Sequence, residues 1–198
     1  MQKRGAFIVI EGLDGSGKTT QAKLLVQGLQ TSHKAVYTTE PSCGQIGSFL
    51  RERCLYEEKR LDSAVEALLF AADRVEHVQN EVVPALNEGK LVVSDRYVYS
   101  SLAYQGSAGL NIDWIAAINK HALKPDLAVF IDVAPEIVLK RLNRKKSIME
   151  TLETQKKVRE IYLKFVANGE LVRIDGDIPI NEVSEALHTR VLKFLETF

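Results

Sequence analysis

Residues 7–19 read Phe7-Ile-Val-Ile-Glu-Gly12-Leu-Asp-Gly-Ser-Gly17-Lys18-Thr19, an apolar run that leads directly into a glycine-rich segment. The run Phe7–Ile10 shows no polar alternation, which is typical of a strand buried on both faces of a parallel sheet. Residues 12–19 match the pattern G-x-x-x-x-G-K-[ST], and apolar residues at helical spacing follow. A strand, a glycine-rich loop and a helix in this order predict a phosphate-binding loop, or P-loop.

The residue types of the P-loop explain which ligand it suits. Its glycines let consecutive backbone N–H groups turn toward an anion, and the following helix adds partial positive charge at its N-terminus. We expect Lys18 to contact the β- and γ-phosphates of ATP or GTP and the Thr19 hydroxyl to bind Mg²⁺. A chance match to the motif has a probability on the order of one percent, so a plain glycine-rich turn is disfavoured. The predicted nucleotide contacts are Gly12, Leu13, Asp14, Gly15, Ser16, Gly17, Lys18, Thr19 and Thr20.

Short apolar runs alternate with helical patterns along the rest of the chain. This alternation predicts a doubly wound α/β fold, and no repeat or linker interrupts it, so residues 1–198 are predicted to form a single domain. Apolar residues at helical spacing recur in four places, for example Ala22, Leu25, Val26 and Leu29. The candidate strands are Ala6–Ile10, Ala35–Thr39, Leu91–Ser94, Leu127–Val133 and Leu171–Ile174.

Composition and charge exclude several classes of protein. The chain has 26 Lys plus Arg against 26 Asp plus Glu, so no global field directs it to nucleic acid or to an anionic membrane. No apolar run approaches the roughly 20 residues that cross a bilayer. Cys43 and Cys54 do not form a CxxC pair, which favours reduced thiols over a disulfide or a zinc site. We therefore expect a cytoplasmic protein without nucleic-acid or membrane partners.

The choice between a GTPase and a kinase depends on two further segments. A guanine site usually shows N-K-x-D, and the nearest candidate, residues 119–122, reads Asn-Lys-His-Ala without the Asp. Asp95 and Arg96 follow a buried strand, where ligands of α/β proteins bind. Asp95 could hold Mg²⁺ directly or through water, and Arg96 could bind a second phosphate. The alternative is an ion pair that caps the strand. A small kinase is favoured.

One basic run stands out. Residues 140–146 read Lys-Arg-Leu-Asn-Arg-Lys-Lys, five basic residues in seven. They suit the C-terminus of a solvated helix, where cations favour the helix dipole. They equally suit a loop that closes over phosphates. The local sequence leaves both interpretations open.

Taken together, the motifs resemble the thymidylate kinase (dTMP kinase) family over nearly the whole chain. The resemblance implies transfer of phosphate from ATP to dTMP on a three-layer P-loop fold, with a five-stranded parallel sheet and helices on both faces, usually as a homodimer with Mg²⁺. Another nucleoside-monophosphate or deoxynucleoside kinase is the alternative, and an ATP-binding regulatory module is a rival from another class. The motifs are residues 10–21, Thr39-Glu-Pro41, Leu69–Arg74, Ser94–Tyr97, Ser100–Gln105, Asp132 with Pro135, Glu136 and Arg141, and Lys157–Tyr162.

The resemblance also implies roles for particular residues. Asp14 is expected near the 3′-hydroxyl and phosphate of dTMP, and Arg96 is expected to bind the acceptor phosphate. Phe70 is expected to stack on thymine and Arg74 to bind its exocyclic oxygen; their i, i+4 spacing independently places them on one helix face. Without the resemblance, Phe70 could simply fill the core.

The resemblance implies roles for five further residues. Ser101 and Tyr104 match positions that flank the pyrimidine and the 2′ side of the deoxyribose, with Gln105 as a neighbouring polar wall. Glu40 and Arg51 match the Glu-Pro segment and the helix after it. These five residues complete the expected acceptor site.

The resemblance finally implies a lid at about residues 141–151. Arg141 is expected against the adenine, with the loop at residues 175–179 at its edge. The variable P-loop positions Leu13–Ser16 contain no cation, so the lid should supply one, and Arg144, helped by Lys145 or Lys146, is expected over the γ-phosphate. The expected catalytic residues are thus Lys18, Arg96, Arg144 and Asp14. A structural role is favoured for His77, on the helix face of Phe70 and Arg74.

Overall fold

A computed structural model describes residues 4–52, 61–142 and 151–198 of the chain. In these ranges five strands form one sheet in the order β2-β3-β1-β4-β5, and every neighbouring pair is parallel. The predicted five-stranded parallel sheet is therefore confirmed. The strands are β1 (Phe7–Gly12), β2 (Ala35–Thr39), β3 (Leu91–Asp95), β4 (Leu127–Asp132) and β5 (Val172–Asp175).

Helices connect the strands, as the alternation of patterns predicts. The described helices are α1 (Lys18–Leu29), α2 (Gln45–Leu50), α3 (Ser63–His77), α4 (Val83–Asn87), α5 (Val98–Ser107), α6 (Ile112–Ile118), α7 (Pro135–Arg141), α8 (Leu152–Ala167) and α9 (Ile180–Leu195). None of the helices in the described ranges is long and apolar enough to cross a membrane.

Helices cover both faces of the sheet. Side chains alternate between the two faces along a strand, and Phe7 to Ile10 of β1 are nevertheless all buried. On one face Phe7 packs edge-on against Tyr97, with ring centroids 4.9 Å apart. On the same face Phe130 stacks on Tyr162 of α8 at 4.7 Å. Helices α1 and α9 pack against each other and against the strands as well. The result is the expected three-layer α/β fold.

The register of the strands brings the predicted site residues to one edge. Ile10 of β1 pairs with Asp95 of β3, and Gly12 pairs with Ile131 of β4. The P-loop and the segment after β3 therefore begin at the same level of adjacent strands. Because all strands are parallel, this edge is the carboxyl edge, where ligands of α/β folds bind.

Most strand bounds lie within one residue of the sequence-based expectation, and β1 shows the largest difference. Strand β1 runs through Glu11 to Gly12, because Glu11 finds buried partners and the ladder to β4 continues. The helical segment before β3 is not continuous: α3 stops at His77, and the π-helical turn Val78–Val82 leads into α4. Pro84 explains this break, since it has no N–H to donate to the preceding turn.

Candidate active site

The P-loop has the backbone shape that anion binding needs. Gly17, which precedes α1, has φ 90°, a left-handed conformation that favours glycine. A Cβ on Gly12 would lie 2.5 Å from the Ser16 Oγ and 3.0 Å from the Ile131 carbonyl oxygen, so a larger residue would displace the Ser16 side chain and press on β4. The Ser16 hydroxyl is buried and has no hydrogen-bond partner among the described residues. The loop thus offers backbone amides and an uncommitted hydroxyl to a ligand.

Lys18 lies inside this loop and is almost fully buried. Its Nζ donates to the Leu13 carbonyl at 3.1 Å and lies 3.8 Å from Asp14 Oδ1. Burial lowers the pKa of Lys18, as does the positive charge of Arg96, while nearby carboxylates, Asp14 first, oppose the change. The Lys18 ammonium is therefore held at the start of α1, where a bound anion would stabilise its positive charge.

Thr19 and Asp95 suit a divalent cation. The Thr19 hydroxyl donates to Asp95 Oδ2, while Asp95 Oδ1 is buried and has no hydrogen-bond partner in the described part of the chain. An uncommitted carboxylate oxygen beside a hydroxyl is the hard donor set that Mg²⁺ prefers, with phosphates and water as its remaining ligands. No cluster of three or more His, Cys, Asp or Glu occurs among the described residues. The side chains present fit Mg²⁺ bound jointly with a nucleotide.

Arg96 adopts an unusual backbone conformation beside the P-loop. Its φ is 73°, and no other non-glycine residue in the described ranges has a positive φ. Strained conformations of this kind cluster at functional sites. The guanidinium donates from Nη2 to Asp14 Oδ1 and from Nη1 to Ser100 Oγ at 3.0 Å, and it lies 5.2 Å from the Tyr104 ring centroid. The turn after β3 thus aims this cation at the P-loop.

Asp14 connects the P-loop to helix α5. The Tyr104 hydroxyl accepts the Asp14 backbone N–H at 3.0 Å and donates to Asp14 Oδ2 at 3.2 Å. The Asp14 carboxylate therefore contacts Tyr104, Arg96 and Lys18. A carboxylate within an anion-binding loop needs such cation or hydroxyl partners, and the structure supplies both kinds.

Glu11 is a site residue that the sequence reasoning missed. It accepts hydrogen bonds from Tyr97 N (2.9 Å), Ser100 N (3.1 Å), Ser100 Oγ (2.6 Å) and Tyr162 Oη (2.9 Å). Burial raises the pKa of Glu11, against opposing effects of these bonds and of the Arg96 charge. Glu11 thereby caps α5 from a neighbouring strand. A carboxylate in an otherwise apolar strand was the signal that could have identified it.

A second cluster surrounds Arg74 on α3. The Arg74 Nε and Nη2 donate to Glu40 Oε2 at 3.0 and 2.6 Å, and Nη2 also donates to Ser101 Oγ at 3.1 Å. Its Nη1 donates to Asn119 Oδ1. All four side chains are buried. The structure therefore brings together Glu40, Arg74 and Ser101, which were predicted as site residues, and adds Asn119, which was not.

His77 lies behind this cluster. Its Nδ1 is 3.2 Å from Glu40 Oε1, the carboxylate oxygen that Arg74 does not use, and its Nε2 is 2.6 Å from Thr38 Oγ1. Thr38 in turn donates to Glu81 Oε2 at 2.9 Å. The imidazole is fully buried and supports Glu40.

The other predicted residues have more varied environments. Phe70 is half-buried on α3, and Gln105 is buried with its Oε1 unpaired within the described residues. Arg51 donates to the Pro41 carbonyl at 2.6 Å instead of joining either cluster. Arg141 is exposed, with Nη2 3.5 Å from the Gly176 carbonyl oxygen. Arg144, Lys145 and Lys146 lie outside the described residues.

The comparisons with known proteins agree with this geometry. The family model for thymidylate kinase matches residues 10–187. A probable thymidylate kinase of Pyrococcus horikoshii is 41% identical, over 98% of this chain and 97% of its own length. One from Pyrobaculum aerophilum is also 41% identical, over 96% of this chain and 99% of its own length. The relatives thus match the chain nearly end to end, P-loop and acceptor segments included, and the chain belongs to the thymidylate kinase family.

Proposed function

We propose that this chain transfers the γ-phosphoryl group of ATP to the phosphate of dTMP, giving ADP and dTDP. The observation that carries the proposal is the convergence of two cations on one P-loop carboxylate. Lys18 Nζ lies 3.8 Å from Asp14 Oδ1, and Arg96 Nη2 donates to the same oxygen. A donor phosphate bound beside Lys18 would therefore lie next to an acceptor phosphate bound by Arg96.

Phosphoryl transfer needs alignment and charge neutralisation more than covalent help. The acceptor is an ionised phosphate at neutral pH, so no general base is required. Lys18 and the P-loop amides would hold the donor phosphates, and Arg96 would exchange its contact with Asp14 for the acceptor phosphate. Thr19 and Asp95 would hold Mg²⁺, which would supply positive charge that neutralises the phosphates. Arg144 stays our candidate for the lid cation over the γ-phosphate.

The acceptor nucleoside would lie between α3 and α5. Arg74 and Ser101 present polar groups there, Phe70 offers a half-buried ring, and Gln105 has an unpaired buried oxygen within the described ranges. Tyr104 would lie on the 2′ side of the deoxyribose and leave no room for a ribose hydroxyl. This combination supports a deoxypyrimidine monophosphate as the acceptor. Arg141 would contact the adenine of ATP, and Glu40 would act by holding Arg74.

We further propose a homodimer formed through α3. Val65 and Leu68 on α3 and Phe49 on the adjoining α2 are exposed large apolar side chains. Clustered apolar exposure of this kind marks a protein interface, and a second copy is the commonest partner. Sedimentation velocity should show a dimer for the wild type and a monomer for Leu68→Glu. A monomeric wild type would contradict this part of the proposal.

The family match over residues 10–187 supports one kinase domain for residues 1–198. Cys43 is an exposed free thiol, while Cys54 lies outside the described residues. The cytoplasmic location and the absence of a nucleic-acid partner stay predictions from the charge balance and the cysteine pattern.

A coupled assay of ADP formation with ATP, Mg²⁺ and dTMP tests the function. Lys18→Ala should lower kcat about 10²- to 10³-fold, because it removes a charge contact to the transferred group. Lys23→Ala is the matched control: Lys23 is exposed on the same helix and should leave the rate unchanged. Thymidine, UMP and AMP should be much poorer acceptors than dTMP. No dTMP-dependent ADP formation by the wild type would refute the proposal.

A further inference from the structure

The Arg74 guanidinium has nearly all of its hydrogen-bond donors in use. An arginine carries five N–H groups and no acceptor. Glu40 takes two of them, Ser101 takes one and Asn119 takes one. Arg74 is buried, so water does not readily replace a missing partner. A single N–H, on Nη1, is therefore left without a partner among the described residues.

Asn119 is well placed to bind the Nη1 group of the Arg74 guanidinium. It is the C-terminal cap residue of α6, and its Nδ2 donates to the Ile115 carbonyl at 2.8 Å. That bond fixes the orientation of the side-chain amide and turns Oδ1 toward Arg74. Asn119 is neutral, so it accepts the N–H without adding a second negative charge to the one that Glu40 already supplies. Nothing in its local sequence reveals this role.

The three partners hold different edges of the planar guanidinium. Glu40 occupies the edge formed by Nε and Nη2, Ser101 the second N–H of Nη2, and Asn119 the Nη1 edge. Without Asn119, two N–H groups of Nη1 would be buried and unpaired, which is costly. The guanidinium would then rotate toward other acceptors, which moves the N–H that the nucleobase would meet.

We propose that Asn119 is a positioning residue for the acceptor base: by accepting one Nη1 N–H, it leaves Arg74 a single, fixed N–H for a carbonyl oxygen of the base. This inference rests on the proposed role of Arg74 in binding dTMP. A single donor in a fixed direction matches one exocyclic oxygen and meets an exocyclic amino group unfavourably. Asn119 thus contributes to base selection without contacting the nucleotide.

Steady-state kinetics of two variants test the proposal. Asn119→Ala should raise the KM for dTMP about tenfold, in the range expected for a hydrogen bond to a charged group, with kcat and the KM for ATP within about twofold of wild type. Asn119→Ser should do the same. Its short hydroxyl can still bond the Ile115 carbonyl one turn back but does not reach Arg74, so it keeps the helix end intact.

A double-mutant cycle shows whether Asn119 acts through Arg74. Arg74→Met alone should raise the KM for dTMP, and adding Asn119→Ala to it should change that KM by less than about twofold. The Ki of 2-deoxyribose 5-phosphate, which has no base, should stay unchanged in Asn119→Ala. Asn111→Ala is the matched control, because it removes the N-terminal cap of the same helix without touching Arg74 and should leave the KM for dTMP unchanged.

The possible failures are distinguishable. If the KM for dTMP is unchanged in both Asn119 variants, or rises equally in the Arg74→Met background, the positioning role is wrong while the proposed reaction stands. An equal rise in the KM for ATP would also overturn it, as a general structural effect. If Arg74→Met leaves the KM for dTMP unchanged, the role proposed for Arg74 is wrong, and the inference fails with it.

Discussion

Two arginines of this protein each pair with one carboxylate, yet their surroundings differ sharply. The side chains of Arg74 and Glu40 are 2% and 3% exposed, whereas those of Arg96 and Asp14 are 19% and 29% exposed. Arg74 belongs to a helix and makes four hydrogen bonds to described residues, while Arg96 lies on a turn with φ 73°. The sealed pair keeps its carboxylate, which holds Arg74 in place, whereas the pair that solvent reaches can exchange its carboxylate for a ligand.

The difference follows from the cost of separating charges in each place. Removing a carboxylate from a buried guanidinium leaves an uncompensated charge in a medium of low polarity. At the rim of the P-loop, water or a phosphate can replace the carboxylate as the partner of the positive charge of Arg96. The sealed pair should therefore affect stability most, and the open pair should affect turnover most.

The largest expected effect is on stability, at the sealed pair. Glu40→Ala should lower the free energy of unfolding by about 3–5 kcal/mol, because it leaves Arg74 buried without a counter-charge. Asp14→Ala, the matched change at the open pair, should cost about 1 kcal/mol or less. Urea denaturation followed by circular dichroism measures both. Equal losses in the two variants would contradict the distinction.

The second effect is on catalysis, at the open pair. Arg96→Ala should lower kcat about 10²- to 10³-fold, because it removes the cation that binds and orients the attacking acceptor phosphate. The melting temperature should stay close to that of the wild type, since Arg96 is held by a turn at the edge of the sheet. The dTMP kinase assay and differential scanning calorimetry together measure this. Substantial activity in Arg96→Ala would move the acceptor contact elsewhere.

A third acid–arginine cluster extends the comparison, because its carboxylate is buried while its arginines are partly exposed to solvent. The Asp132 side chain is 0% exposed, and its partners Arg159 and Arg173 are 32% and 50% exposed. Burial acts to raise the pKa of Asp132, but hydrogen bonds and charge from both arginines outweigh it, and the pKa lies below the ordinary 3.8. We expect this cluster to contribute about 1–2 kcal/mol.

The sign of its pH dependence follows from that shift. A carboxyl group whose pKa is lowered by folding stabilises the protein above its unfolded pKa, and the contribution is lost as the pH falls through the folded value. Asp132→Asn should therefore be less stable than wild type near pH 6, and the difference should shrink below about pH 4. Thermal unfolding between pH 6 and pH 2 measures this. The exposed Asp113→Asn should show no such trend.

Sequence reasoning was most accurate where structure depends on neighbouring residues. The bounds of β2 match the predicted Ala35–Thr39, and the other predicted strands differ from the observed ones by no more than two residues at either end. The P-loop conformation follows equally directly, since Gly17 adopts the positive φ that its motif requires. Apolar periodicity and glycine geometry are local properties, so one sequence suffices to read them.

The hydrogen-bond partners of buried side chains were harder to predict than the strands and helices. Glu11 binds Ser100, and Arg74 binds Asn119, across separations of 89 and 45 residues. No local pattern connects such residues, because they meet only after sheet register and helix packing are set. Glu11 and Asn119 were therefore missed, and Glu40, expected as a substrate contact, has its carboxylate bound by Arg74 and His77.

The sequence by itself determined the P-loop, the alternation of strands and helices, and the resemblance to a kinase family, because each depends on residue type and spacing along the chain. Only the tertiary structure decided which carboxylate pairs with which arginine and how far water reaches each pair. Those choices depend on the parallel register that brings Asp95 and Arg96 beside the P-loop, and on the packing of α3 and α6 that brings Asn119 to Arg74.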